Sequence, residues 1–350
     1  MSAPSTALPV GMAGLRYGIT QVSLAVRDLD STMALYHRAF GWAPWQVFDH
    51  VPPVHHNTEL RGEKVHYALR GAEVYVGSLN FELLQPLEGP NLWSEFMDRR
   101  GEGVASIATM FLEREDGDAV KVAFKERFGI DVNMKADIGD HIEYYYLDTE
   151  AKFGCLIESG SGHAIDFVRP AAVYPHPGAE PGPSPVSGLT YPITQISCTV
   201  RDLESRMAAF HEAFGWGPWK VFEADGDVIM HDSTWRGQPA DFRNMRWAET
   251  MVGDLNFELI SPTGPGNPWY EGLETNGEGI SSIAVMFQTP EESERVKAQF
   301  AADGIGITAS SRIGDHIEWY FLDTELPFKC IIESGSGHAI DFMEPVSVYP

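Results

Sequence analysis

The chain is short of three things, and each shortage excludes something. Only 3 of its 350 residues are cysteine. Cys155, Cys198 and Cys330 sit in apolar, strand-like runs with no metal-type spacing. A disulfide-stapled scaffold and a thiolate metal site are thereby excluded, and the three read as buried free thiols in a reducing cytoplasm. Positive charge is scarce too: 25 Lys and Arg stand against 50 Asp and Glu, a formal net charge of −25. Such a surface repels nucleic acid and anionic membranes and disfavours phosphate-rich ligands. Long apolar runs are missing as well, since no window approaches the roughly 18 uncharged apolar residues of a membrane helix. The opening MSAPSTALPVGMAG has neither the basic start nor the apolar stretch of a secretory signal. These exclusions leave a cytoplasmic globular protein with a small-molecule partner, either a monomer of two paired domains or a homodimer.

What the sequence does have is repetition. GDHIEYYYLDTEAKFGCLIESGSGHAIDF runs from Gly139 to Phe167, and GDHIEWYFLDTELPFKCIIESGSGHAIDF from Gly314 to Phe342. ITQVSLAVRDL at Ile19 returns as ITQISCTVRDL at Ile193, AFGWAPWQVF as AFGWGPWKVF, and LNFELL as LNFELI. The offset stays between 174 and 176 residues. A period this long, present twice, means duplicated domains and not a solenoid. The reading is a flexible tail over 1–17, a domain over 18–175, a Pro/Gly/Ser linker over 176–188 and a second domain over 189–350.

Each copy has an inner rhythm. A strand over Gln21–Val26 leads into a helix with Leu29, Met33, Tyr36 and Phe40 on one face and Gly41 as its stop. Three strand candidates follow, ending at NFELLQP. The pattern restarts at VASIATMF, with a helix near Ala119–Phe128 and strands ending at CLIES. The expected class is α+β, built from four βαβββ units. Period-2 alternation then puts one polar group per key strand on the face away from the helices: Gln21, Glu82, Ser106 and Glu158. Copy two has Gln195, Glu258, Ser282 and Glu333 at the matching places. Ionised carboxylates inside strands are costly without a partner, which marks these glutamates as site candidates. The duplicated glycines, the AFGW turn and the helix stripe are explained by folding alone.

AVRDLDSTMALYHRAFGW, NFELLQP, GEGVASIA and GCLIES, in this order and repeated, resemble the vicinal oxygen chelate superfamily of glyoxalase I, methylmalonyl-CoA epimerase and extradiol dioxygenases. The resemblance implies two domains, each an eight-stranded mixed sheet curled into a cup with helices outside. It also implies a divalent metal held by Gln21, Glu82 and Glu158 in one cup and by Gln195, Glu258 and Glu333 in the other. Ser106 and Ser282 stand where most members have histidine. An oxygen-only set suits Mg²⁺, Mn²⁺ or Ca²⁺ better than Zn²⁺. A metal-free cup stays equally open, in which close carboxylates push one pKa upward and poise a general base.

Four histidine pairs are also duplicated: His37/His211, His56/His231, His141/His316 and His163/His338. His141 and His316 are the first choice among them for proton transfer, after Glu82, Glu158, Glu258 and Glu333. His56 and His231 fall in a loop that could close over a ligand. Trp45, Tyr144 and Tyr146, with Trp219, Trp319 and Phe321, are candidates to line a cup for a planar apolar ligand. Three functions follow. The first is an enzyme that abstracts a proton beside a carbonyl and stabilises the enolate, as an isomerase, epimerase or lyase. The second is a non-catalytic small-molecule sequestering protein. The third, an extradiol dioxygenase, is weakened because its 2-His-1-carboxylate iron triad lacks both histidines.

Overall fold

The computed structural model describes residues 7–176, 186, 188–224 and 230–350. Most of the expected linker and the start of the expected tail lie outside these. Of the tail, Val10 bridges Arg16, and Tyr17 is buried with its hydroxyl donating to the Met12 carbonyl. The chain divides into two compact units, Val10–Ser184 and Pro185–Pro350, the second also taking in Met1–Pro9.

The first unit contains, in chain order, β1 (Gln21–Ala25), α1 (Leu29–Phe40), β2 (Trp45–His50), β3 (His55–Leu60), β4 (Glu63–Lys64), β5 (Ala68–Val76) and β6 (Leu79–Glu88). There follow α2 (Leu92–Arg100), β7 (Gly103–Phe111), α3 (Arg114–Phe128), β8 (Val132–Ile138), β9 (Ile142–Leu147), α4 (Glu150–Phe153), β10 (Leu156–Ser161), α5 (Ala164–Phe167) and β11 (Ala172–Tyr174). Its sheet has eleven strands among the described residues, in the order β11-β2-β5-β6-β1-β7-β10-β9-β8-β3-β4. The pairs β1–β6 and β10–β7 are parallel and the rest antiparallel, so the sheet is mixed. The eight expected strands form its continuous middle. The additions are β11 on one edge and the β3–β4 hairpin on the other. The second unit repeats this order, strand for strand, between Gln195 and Tyr349.

The hairpin shows how tightly the sheet curls. β3 pairs with β8, at the far end from β2, yet only residues 51–54 separate β2 from β3. Four residues span at most about 17 Å even when extended. The two ends of the sheet must therefore approach, and the His50 and His55 rings do lie 6.1 Å apart.

Helix α1 forms because Asp28 caps it, accepting from the Ser31 N–H at 3.0 Å, and Gly41 ends it at φ 72°. Leu29, Met33, Tyr36 and Phe40 are buried against the outer face of the sheet. That face also takes Trp42 and Trp45, with Tyr36 stacked on Trp42 at 5.4 Å and Phe81 5.9 Å from Trp45. Ser-Gly-Ser of the Ser-Gly-Ser-Gly stretch belongs to β10, where Gly160 has φ 146° and a Cβ would collide with the Glu143 carbonyl of β9. Gly335 meets Glu318 in the same way. The repeated glycines thus serve close strand approach.

Candidate acid–base site

Cross-strand register decides which side chains share the concave face, because directly opposed residues point the same way. In the first unit one row runs Glu73–Glu82–Ser23–Ser106 over β5, β6, β1 and β7. The next runs Asn80–Gln21–Ala108–Glu158–Tyr146 over β6, β1, β7, β10 and β9. The second unit repeats both rows as Glu249–Glu258–Ser197–Ser282 and Asn256–Gln195–Ala284–Glu333–Phe321. Gln21, Glu82, Ser106 and Glu158 therefore share one face, as do Gln195, Glu258, Ser282 and Glu333.

All of these carboxyls are buried. Ser23 Oγ donates to Glu82 at 2.6 Å, and Ser197 Oγ to Glu258 at 2.6 Å. The Tyr146 hydroxyl donates to Glu158 at 2.8 Å. Glu73 accepts from Asn80 Nδ2 at 2.6 Å and from the Ile165 N–H of α5 at 3.2 Å. Burial dominates their protonation. It pushes Glu158 up to about 8 against the opposing Tyr146 hydrogen bond, with Glu73 adding repulsion. Glu333 rises to about 8 through burial and then Glu249. Glu73 rises to about 7, burial outweighing its hydrogen bonds from Asn80 and from the Ile165 and Ala164 N–H groups. Glu82 goes well above the ordinary carboxyl range through burial and then Glu158; Glu258 does so through burial and then Glu249 and Glu333.

Aromatic rings fill the rest of the first cup. Trp93 stands edge-on to Tyr146 at 5.4 Å, and Tyr144 stacks parallel to His55 at 6.0 Å. His50, His55 and His163 are buried, and burial lowers them to about 3, 4 and 4, so all three are neutral at pH 7. The remaining cavity is about 30 Å³, lined by Gln21, Glu73, Glu82, Tyr146, Glu158 and His163 among others. A water molecule needs some 10–15 Å³ on this measure, so the closed cup admits water and no ring. A much larger groove, about 1240 Å³, is lined by Arg61, Glu95, Lys125 and Asp131. Those side chains are already paired, Arg61 with Glu95 and Lys125 with Asp131, each at 2.6 Å, and the groove holds no comparable cluster of buried carboxyls.

Other candidates lie elsewhere. Trp45 and Trp219 are buried beneath the helices on the outer face, since they fall on the odd positions of a strand whose even positions face inward. His141 and His316 are exposed on the turn before their strands, stacked on Phe167 and Phe342. His56 and His231 are partly exposed and contact the Gly139 and Gly314 carbonyls. Sequence reasoning missed Glu73, Glu249, His50, His55 and Tyr67. The alternation in GAEVYV already sets Glu73 against Val74 and could have found it. His55 was hidden because duplication was the filter, and its counterpart is Met230.

A divalent ion does not fit this donor set well. Gln21 and Ser106 offer only neutral oxygens, and one oxygen each of Glu82 and Glu158 is engaged by a hydroxyl. Among the described residues no three His, Cys, Asp or Glu side chains converge as a metal cluster. Ser106 Oγ is buried and has no hydrogen-bond partner.

No protein-family model and no curated protein matches the sequence. Solved structures do match. A variant of 4-hydroxymandelate synthase from Streptomyces coelicolor superposes with a TM-score of 0.56 at 14% identity, covering 94% of each chain. A xylose isomerase-like TIM barrel/4-hydroxyphenylpyruvate dioxygenase fusion protein gives 0.50 at 11% identity, covering 96% of this chain and 50% of that one. A Mn(II)-bound glyoxalase from Novosphingobium aromaticivorans gives 0.48 at 15%, covering 95% and 83%. At such identities the likeness is one of fold. The chain carries the vicinal oxygen chelate fold, written once in each of its two units.

Proposed function

We propose that the protein is a metal-independent acid–base enzyme. It moves a proton on the carbon beside a carbonyl of a small, largely apolar, aromatic molecule, as an isomerase, epimerase or lyase. The observation that carries this reading is the buried carboxyl of Glu158, raised to about 8 among two further glutamates. Three such groups repel one another, so they hold shared protons near neutral pH. A carboxyl kept protonated donates a hydrogen bond, and an ionised one accepts a proton. In this reading Glu82, held protonated, and the unpartnered Ser106 hydroxyl donate to the substrate's carbonyl oxygen as negative charge grows there. Ionised Glu158 takes the α-proton. Tyr146, bonded to that carboxyl, steadies its charge. Glu158 then returns the proton to a carbon of the enolate, on its own side for an isomerase and after the enolate turns over in the cup for an epimerase, or a leaving group departs from the β-carbon and takes up that proton. The lining of the cup must part to admit a ring.

The test is α-hydrogen exchange. A panel of aryl ketones and aryl 2-oxo acids is incubated with the protein in deuterated water and followed by proton NMR. At least one member should lose its α-hydrogen signal faster with protein than in buffer. The rate should rise with pH through about 8 as Glu158 ionises, and Glu158→Gln should lower it by about 100-fold or more. No protein-dependent exchange across the panel would sink the reading. One observation favours a second: the cup is packed to about 30 Å³. A sequestering protein would bind members of the panel tightly and exchange none.

A further inference from the structure

The two units share their carboxyls and the Gln, Ser and Asn residues in register with them, and differ along one wall of the cup. In the first cup the Tyr144 hydroxyl lies 2.8 Å from His55 Nε2 and 3.1 Å from the Tyr67 hydroxyl, which donates to the Lys135 carbonyl at 3.1 Å. Together with the Tyr146–Glu158 hydrogen bond this makes a line of buried, polar, proton-carrying groups. In the second cup Phe321 opposes Glu333 where Tyr146 opposes Glu158. Trp319 opposes Gly335 where Tyr144 opposes Gly160. Met230 opposes Ile313 where His55 opposes Ile138. Phe242 packs on Trp269 where Tyr67 packs on Trp93. Every hydroxyl and imidazole of the line has become apolar.

A compensating exchange of volume accompanies this. Gly71 leaves room for His50, whose ring would lie 3.1 Å from a Cβ there. In the second unit Trp247 takes the place of Gly71, opposite Phe222, as Gly71 is opposite Phe48. Its indole Nε1 donates to Glu249 at 3.1 Å, beside Asn256 at 2.7 Å and the Ile340 N–H at 3.1 Å. Glu249 thus has an indole donor, where Glu73 accepts from Asn80 and from the Ile165 and Ala164 N–H groups. The second cup answers its buried charge internally; the first presents hydrogen-bonding groups along its wall.

We propose that the cups have diverged, so that the first alone takes the ligand, an aromatic molecule bearing a phenolic or carbonyl oxygen, while the second, which lacks the hydroxyl and imidazole line, does not. Tyr67, Tyr144 and Tyr146 are then the residues that select for that oxygen. The inference rests on the proposed small-molecule site but not on turnover there.

The experiment uses the full chain and 4-nitrophenol, a coloured phenol, titrated by absorbance and by calorimetry. One molecule should bind per chain. Tyr144→Phe and Tyr146→Phe should each weaken binding about tenfold, the usual effect of deleting one buried hydrogen bond. Met230→Leu and Phe242→Leu in the second cup should leave it within about twofold. Thermal unfolding of each variant within a few degrees of wild type shows that its fold is kept. Two equal sites per chain, a larger loss from the second-cup variants, or no saturable binding would each overturn the proposal. Binding of one phenol by a chain that exchanges no α-hydrogen would overturn turnover while leaving this divergence standing.

Discussion

A glutamate buried on the concave face of a sheet that closes on itself is largely shut off from bulk water, and its carboxyl therefore holds its proton to higher pH. That consequence is measurable without a ligand. Glu158 and Glu333 have folded-state values near 8 against an ordinary value of 4.5. A group raised on folding contributes stability that is fully present below 4.5 and lost as pH rises through 8. The unfolding temperature of the wild type should therefore fall, relative to that of Glu158→Gln/Glu333→Gln, between pH 5 and pH 9. Scanning calorimetry at three pH values checks this, and a relative stability that rises with pH would mean the carboxyls fold ionised. At this scale the site was partly legible. Alternation alone placed Gln21, Glu82 and Glu158 on one face. Glu73 obeys the same rule, but its strand entered only as one of three candidates before NFELLQP, with its alternation unread. The choice of His56 over His55 had another cause: a search for what is written twice cannot see a side chain that matters in one copy.

The elements were legible where a periodic apolar face meets a capping signal. Asp28, the stripe Leu29–Met33–Tyr36–Phe40 and Gly41 state α1 almost completely. Helix α3 begins at Arg114, earlier than its apolar pattern suggests, because its first turn, Arg114–Asp118, is nearly all polar. The β3–β4 hairpin was not legible at all. HHNTELRGEK has no alternation, and its strands exist because β8 offers an edge to pair with. The Ser-Gly-Ser end of β10 gives a sharp test at this scale. Gly160→Ala should cost roughly 3 kcal/mol or more, since it adds a positive-φ penalty to a backbone collision that no rotamer relieves. Urea unfolding measures it, and a loss below about 0.5 kcal/mol would show that β9 and β10 do not approach as closely as described.

At the scale of the molecule, duplication set the plan, and the copies have since diverged in side chains along one wall of their cups. Each unit has its own eleven-stranded sheet and its own buried cluster, around Trp93, Tyr144 and Tyr146 in one and Trp247, Trp269 and Trp319 in the other. Residues 10–184 expressed alone should consequently unfold in one cooperative transition. A product without cooperative unfolding would mean that the units are not independent domains. The duplication was plain in the sequence. The divergence was not, because a change from Tyr to Phe or Trp keeps the apolar pattern while removing the hydroxyl.

The central claim is that the cups hold carboxyls that keep their protons at neutral pH. Carbon-13 NMR of protein labelled at the glutamate side-chain carboxyl carbon tests it most directly, with Glu158→Gln and Glu333→Gln assigning the signals. The account expects these two resonances to titrate near pH 8 and that of Glu73 near 7, apart from those of the exposed glutamates. If Glu158 and Glu333 titrated with the exposed glutamates, they would be ionised at neutral pH, and the acid–base reading of the cups would be wrong.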